Sequence, residues 1–271
     1  MPELPEVETV VRALRPDVVG RRVMSFTSTW ENQLNMPASA LADRITGQRI
    51  ETLGRRGKYI LFELQHDWLI VHLKMTGRLY VLAEPDDADR WVRATFPLDD
   101  GRTLFFSDSR KFGRIYLTSD QQEVTGDLGP EPLGDALTVE SFRERIAPRS
   151  GVIKALLLNQ TFIAGVGNIY ADEALWRARI DPHRTADTLT SDEIDCLYES
   201  IRAVLHEGIA WEGASIGWYR KPDGSRGEAQ DRFNAYIYKR GEEKTCARCG
   251  NPIVKTRIGQ RGTHYCPTCQ T

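Results

Sequence analysis

Tyr59-Ile60-Leu61-Phe62-Glu63-Leu64-Gln65-His66-Asp67-Trp68-Leu69-Ile70-Val71-His72-Leu73 decides the fold of the first half of this chain. Two runs rich in aromatic and branched side chains, 59–64 and 68–73, flank a three-residue polar turn. That pattern is an antiparallel hairpin. Shorter runs at 22–30, 49–53, 78–82, 91–98, 103–107 and 114–117 extend it, with Asp99-Asp100-Gly101 as a turn between two of them. About eight short strands at this spacing predict an antiparallel sandwich or barrel.

The chain has 271 residues, 41% apolar and 27% charged, which suits a globular protein with room for two domains. No apolar run reaches the roughly 18 residues a membrane helix needs, so no membrane partner is expected. The N-terminus lacks a basic segment followed by an apolar one, so residence is expected to be cytoplasmic. Net charge is −2, which does not advertise nucleic-acid binding. Residues 244–271 nevertheless carry Lys244, Arg248, Lys255, Arg257 and Arg261 and no acidic residue, a local basic face of the kind that phosphates require.

Before the strands comes Met1-Pro2-Glu3-Leu4-Pro5-Glu6-Val7-Glu8-Thr9. Removal of Met1, which a small second residue allows, leaves Pro2 as a free secondary amine. An α-amino group has a pKa of about 7.7–8.0, so a useful fraction is unprotonated and nucleophilic near neutral pH. Neighbouring carboxylates suit general acid or base work. The same glutamates also suit the first turn of a helix, where the dipole favours negative charge. That helix is expected from Pro5, with Val7, Val10, Val11 and Leu14 on one face, and Pro16 ends the pattern.

Three later loops hold cations or isolated apolar residues: Arg55-Arg56-Gly57-Lys58, His72-Leu73-Lys74-Met75-Thr76-Gly77 and Asp108-Ser109-Arg110-Lys111-Phe112-Gly113. Apolar wedges accompanied by arginine are how proteins fill or open a base stack.

Asp127-Leu128-Gly129-Pro130-Glu131-Pro132-Leu133-Gly134 reads as a linker, and helical patterns follow it. Helices are expected at 139–146, at 152–159 (carrying Lys154) and at 169–178. Gly165-Val166-Gly167 precedes the last of these, with Asn168 at the N-cap. Backbone N–H groups at such a helix start hold phosphates. Thr190-Ser191-Asp192-Glu193 is a capping box for a structural helix to about residue 208. The Gly-rich, charged stretch 211–231 shows little periodicity and would make a lid. Cys196 stands alone. Cys246-Ala-Arg-Cys249 and Cys266-Pro-Thr-Cys269 are two CxxC knuckles 16 residues apart. They supply four thiolates for one tetrahedral zinc, and with no open position that zinc is structural. Between them, residues 255–264 read as a basic hairpin with Arg261 at its tip.

With these residues assembled, the chain resembles the bacterial formamidopyrimidine-DNA glycosylase family. The matching segments are Pro2 to Thr9, Arg56-Gly57-Lys58-Tyr59, His72 to Gly77, Arg110-Lys111-Phe112-Gly113, Gly165-Val166-Gly167-Asn168-Ile169-Tyr170 and the terminal knuckles. The resemblance implies an α+β protein: an N-terminal β-sandwich (1–131), a helix–two-turn–helix domain (132–240) and a zinc-ribbon hairpin (241–271), with DNA in the cleft between the domains. It implies a monomer that excises oxidised purines from duplex DNA and then cuts the strand by β- and δ-elimination. Pro2 would be the nucleophile, Glu3 the acid beside it, Glu6 a second carboxylate of the site and Lys58 the lysine near the lesion and its phosphate. Met75, Arg110 and Phe112 would fill the gap left by the extruded base. His72, Asn168 and Arg261 would contact phosphates, and Lys154 would lie near the damaged purine. The family's usual lid pattern is replaced here by residues 227–234 and Ile237-Tyr238-Lys239-Arg240, which bears on base preference. A sister class acts on oxidised pyrimidines with the same fold, and Leu4 favours the purine class. A DNA-damage binder that retains Met1 is the non-catalytic alternative.

Overall fold

The computed structural model describes residues 1–84, 87–217, 219–236 and 243–271. They form two compact units: Met1–Asp127 with Glu212–Gly227, and Leu128–Trp211 with Glu228–Thr271. Among the described residues no helix is long and apolar enough to cross a membrane.

The first unit begins with helix α1, Leu4–Val18. Glu3 is its N-cap, and Glu3 and Glu6 form a reciprocal capping box, with Pro5 in the first turn. Leu4, Val7, Val10, Val11, Leu14 and Val18 are all buried. The helix does not stop at Pro16 but runs on to Val18, a correction to the sequence reading. Proline already has a helical φ, and so close to the C-terminus its missing N–H breaks little of the ladder, while Val18 gains burial. Strand β1 is only Thr27–Ser28, far shorter than the expected 22–30. In that stretch Val23 and Phe26 are buried but Met24 is exposed, so the alternation that sustains a strand is lost. Helix α2, Ala38–Ile45, follows, anchored by buried Leu41 and Ile45.

Seven further strands are β2 Ile50–Arg56, β3 Tyr59–Leu64, β4 Trp68–His72, β5 Gly77–Leu82, β6 Val92–Pro97, β7 Thr103–Asp108 and β8 Arg114–Thr118. They build two four-stranded sheets, ordered β1-β6-β7-β5 and β2-β3-β4-β8, in which every named pairing is antiparallel. One core of Phe62, Leu69, Val71 and Ile115 from one sheet and Leu79, Phe96, Leu104 and Phe106 from the other joins both sheets to α1 and α2. This is the predicted sandwich with flanking helices. A short helix, α3 (Gln122–Thr125), closes the unit.

The second unit is helical. Its elements are α4 Val139–Ile146, α5 Ile153–Leu158, α6 Asn168–Ala178 and α7 Ser191–Ala210. Thr190 and Glu193 form the expected capping box of α7. The turn from α5 to α6 is closed by the Gln160 amide, which donates to Val166 O at 2.8 Å and accepts from Gly165 N at 3.0 Å. Gly167, not Asn168, occupies the N-cap of α6, and Asn168 is the first helical residue. Gly167 takes that place with an extended backbone, and glycine is among the favoured N-cap residues. The chain ends in an antiparallel hairpin, β9 Val254–Ile258 and β10 Arg261–Tyr265, with Ile258 paired to Arg261 across a two-residue turn.

Candidate active site and metal centre

The start of α1 gathers three residues that the sequence singled out, Pro2 and the carboxylates Glu3 and Glu6. Pro2, Glu3 and Glu6 are all buried, and Met1 is exposed. Glu6 Oε2 accepts from Glu3 N at 2.7 Å and Oε1 accepts from Ala214 N at 2.7 Å. Both oxygens of Glu6 therefore hold backbone, one at the start of α1 and one in the 212–227 segment. Tyr219 adds a third tie: its hydroxyl donates to Glu6 O at 3.2 Å and its ring joins the sandwich core. Burial, then the nearby Glu6 charge, pushes the Tyr219 hydroxyl well above the ordinary tyrosine range. The segment closes on itself at Gly213 and Gly227. A Cβ on Gly227 would lie 2.2 Å from Gly213 O, and one on Gly213 would lie 2.9 Å from Glu6 Cγ. Its lack of periodicity suggests a lid, and within the first unit it is tied to Glu6 through Ala214 and Tyr219.

Glu8 has a different use. It pairs with Arg12 at 2.8 Å and with Arg55 at 3.2 Å, and Arg15 Nη2 donates to Leu53 O at 2.9 Å. Burial raises the Glu8 carboxyl, but the Arg12 and Arg55 contacts outweigh it and the net shift is downward. These contacts dock α1 on β2 and so place the turn Gly57-Lys58, where Lys58 is buried. His72 sits across the β3–β4 ladder from Tyr59, with the rings edge-on at 4.6 Å. Its Nδ1 accepts from Lys74 N at 3.0 Å, which leaves Nε2 as the protonated, donating nitrogen. Burial, then the Lys74 and Lys58 charges, push its pKa down to about 3. His72 is thus a neutral donor.

Met75 and Phe112 are among the few exposed large apolar residues. Arg110 lies over the Phe112 ring at 4.6 Å. Each apolar residue follows a lysine in the left-handed region, Lys74 at φ 51° and Lys111 at φ 59°.

In the second unit, Asn168 opens α6, and its Oδ1 is buried without a protein partner. Arg261 is exposed at the first position of β10. Lys154, which the resemblance puts near the damaged purine, is buried in this unit. Its ammonium is fully enclosed, bonded to Asp172 Oδ1 at 2.6 Å, Thr263 Oγ1 at 2.8 Å and Gly262 O at 2.9 Å. Asp172 Oδ2 in turn accepts from His264 N and meets His264 Nδ1, both at 3.0 Å. This is a fastener between α5, α6 and the hairpin.

The four cysteine sulfurs of 246, 249, 266 and 269 lie within 4.8 Å of one another. Cys249–Cys266 is 3.6 Å and Cys246–Cys269 is 3.9 Å. Tetrahedral zinc with sulfur at about 2.3 Å needs sulfurs roughly 3.8 Å apart, so the set fits one structural zinc. Trp176 Nε1 donates to Cys246 Sγ at 3.4 Å, and Arg248 stacks on the Trp176 ring at 4.0 Å while donating to Trp176 O at 2.6 Å. Burial raises the Cys246 thiol, but donors from Arg248 N–H, Trp176 and Cys249 N–H outweigh it and bring it down to about 6. That thiol is prepared for metal.

Family models match almost the whole chain: the formamidopyrimidine-DNA glycosylase N-terminal domain over residues 1–115, the H2TH domain of the same enzymes over 128–219, and the zinc finger found in FPG and IleRS over 243–271. The chain belongs to the formamidopyrimidine-DNA glycosylase family. Family relatives of that name include those of Chloroflexus aggregans, 46% identical over 275 residues (100% of this chain, 98% of the relative), and Protochlamydia amoebophila, 42% identical over 277 residues (100% and 99%). The MutM (Fpg) protein of Thermus thermophilus superposes with a TM-score of 0.89 at 41% identity, covering 99% of this chain and 98% of that one. A Lactococcus lactis Fpg variant, solved with DNA containing Fapy-dG, superposes with a TM-score of 0.91 at 37% identity, covering 99% of each chain.

Several working residues escaped the sequence reading. Asp108, Asp172, His264 and Trp176 act through partners distant in sequence. Glu173, buried, accepts from the N–H groups of Asn234, Ala235 and Tyr236 at 2.7–2.8 Å, and its burial pushes the carboxyl up. The replacement 237–240 of the usual lid pattern lies outside the described residues.

Two outcomes follow from this geometry. Lys154→Met keeps the length of the side chain but leaves the buried Asp172 carboxylate without its ammonium partner, a loss of roughly 3–5 kcal/mol; thermal unfolding measures it, with faster zinc release to a chelator as the local sign. His72 stays neutral when folded down to about pH 3, whereas the unfolded chain protonates it near 6.5. Stability contributed by the neutral ring is complete above about pH 6.5 and is lost as pH falls from there towards 3. Denaturant midpoints of wild type and His72→Gln across pH 7.5 to 4.5 should therefore converge on acidification.

Proposed function

We propose that this chain is a base-excision repair enzyme that removes oxidised purines, 8-oxoguanine and formamidopyrimidines, from duplex DNA and then cleaves the strand as an abasic-site lyase. The observation that carries the reading is Pro2 held directly before the carboxylate-capped start of α1, in a chain that matches this family from end to end. The Lactococcus lactis relative is solved with Fapy-dG DNA and with DNA containing an abasic site, which supports both halves of the activity.

After loss of Met1, the Pro2 lone pair forms a bond to C1′ of the damaged nucleotide. The glycosidic electrons leave with the base, which takes up the proton that the Pro2 nitrogen sheds. Glu3 protonates the ribose ring oxygen as the C1′–O bond opens, giving an iminium between Pro2 and C1′. Loss of a C2′ proton expels the 3′ phosphate, a second elimination expels the 5′ phosphate, and water releases Pro2. Glu6 serves by fixing the peptide on which Glu3 and Pro2 are carried. Lys58 supplies a buried cation for the phosphate of the lesion. Reaction at C1′ needs the nucleotide out of the stack, at a cost of a few kcal/mol. Met75, Phe112 and Arg110 offset that by occupying the space left behind.

His72, Asn168 and Arg261 hold phosphates, His72 as a neutral donor and Asn168 at the positive end of the α6 dipole. Zinc holds the hairpin that carries Arg261, and Lys154 fastens the same hairpin rather than touching the base. The protein works as a monomer on damaged double-stranded DNA, in the cytoplasmic compartment where bacterial DNA lies. The sequence domains 1–131, 132–240 and 241–271 then serve as catalytic body, DNA-binding helices and phosphate-contacting finger.

Excision assays on duplexes bearing 8-oxoguanine or thymine glycol test the substrate class. We expect faster release of 8-oxoguanine, and preference for thymine glycol would reassign the chain to the pyrimidine class. Borohydride should trap a covalent complex with wild type and little or none with Pro2→Gly, and Glu3→Gln should slow excision by roughly 10²–10⁴-fold.

A further inference from the structure

The two loops that carry the exposed apolar residues are separated in sequence, yet they share one buried side chain. Loop 73–76 enters β5, and loop 109–113 leaves β7. Gly77 and Asp108 are partners at the end of the β5–β7 ladder, so both loops spring from one point of the sheet. Asp108 is fully buried there. Its Oδ1 accepts from the Thr76 hydroxyl and from Arg110 N at 3.1 Å, and its Oδ2 accepts from Gly113 N at 2.7 Å. Thr76 directly follows Met75, and Gly113 directly follows Phe112. Arg110 N also donates to Thr76 Oγ1 at 3.2 Å, which joins the loops a second time.

The backbone of Asp108 is itself held, by its N–H on Trp91 O at 2.9 Å and by Arg93 Nε on its carbonyl at 3.1 Å. Both loops are tight. Gly77 N donates to Leu73 O at 2.9 Å, and a Cβ on Gly113 would lie 2.3 Å from Phe106 Cζ. Each loop also holds a lysine in the left-handed region, which costs of order 1–3 kcal/mol and persists only where the surroundings enforce it.

The geometry points to Asp108 as a positioning residue that clasps the Met75 loop and the Arg110–Phe112 loop into one rigid wedge. Its task in the reaction is base extrusion, not the chemistry at C1′. A wedge whose two apolar tips moved independently would have to be ordered on each encounter with DNA, and that ordering would weaken the transition state for extrusion. The carboxylate suits this because it accepts from three donors at once, and an amide of the same shape cannot: its NH₂ would face an N–H.

This inference rests on the proposed glycosylase activity, and the two fail separately. Wild type that excised no oxidised base would refute the activity. The clasp is tested by comparing Asp108→Asn and Thr76→Val with wild type on two substrates. One is duplex DNA with 8-oxoguanine, which must be extruded, with a 2-aminopurine neighbour to report unstacking. The other is a single-stranded oligonucleotide bearing a preformed abasic site, which needs no extrusion and reports the Pro2 chemistry by borohydride trapping. We expect extrusion and duplex excision to slow by roughly tenfold or more with Asp108→Asn, the size of losing a charge-assisted hydrogen bond, and by less with Thr76→Val. Trapping on the single strand should stay within about twofold. In a Met75→Ala, Phe112→Ala background the Asp108→Asn defect should largely vanish, because the clasp then has no wedge to hold. Equal losses on both substrates, unchanged extrusion, or a full defect in the background without the wedge residues would each overturn the assignment.

Discussion

The catalytic reading depends on where one nitrogen stands, and a reciprocal pair of carboxylate–amide bonds sets that place. Glu3 and Glu6 cap the start of α1, and Glu6 reaches on to Ala214 N. A chain terminus is ordinarily the least ordered part of a protein. Here the residue after Met1 is buried, and the helix that follows carries five buried apolar side chains into the sandwich core. A nucleophile on a flexible end would lose most of the advantage of proximity; one built on a packed helix keeps it. Glu6 is therefore better understood as the support of the site than as a second acid within it.

A parallel logic holds in the helical unit. Gly167 caps the start of α6 and Asn168 opens the helix. The same helix carries Asp172, Glu173 and Trp176 on later turns, and each of these engages the C-terminal region: the hairpin, residues 234–236 and the Cys246 knuckle. Zinc then fixes more than a local loop. It fixes the hairpin tip that bears Arg261 relative to the helix start that bears Asn168, as the proposed pair of phosphate contacts needs.

Much of this was legible in the sequence, for identifiable reasons. The 59–64 and 68–72 strands were readable because β-rich runs are bounded by a polar turn, and the metal set was readable because CxxC spacing encodes its own geometry. Helix α2 was missed because only Leu41 and Ile45 mark its buried face, too few to show a period. Pro16 misled because a proline near a helix end is tolerated. The remaining misses share one cause: the partners are remote. Lys154 became a fastener through Asp172 and Thr263, and the 212–227 segment became part of the first unit through Tyr219 and Glu6. Residue type and local spacing carry no trace of such pairings.

The account stands or falls on the identity of the nucleophile. Reduction of the covalent protein–DNA intermediate, followed by proteolysis and mass spectrometry of the modified peptide, locates the bond directly. The sugar remnant should be found on the peptide that begins at Pro2, at its nitrogen, with Met1 absent. A remnant on Lys58 or any other lysine, with the Pro2 peptide unmodified, would contradict it.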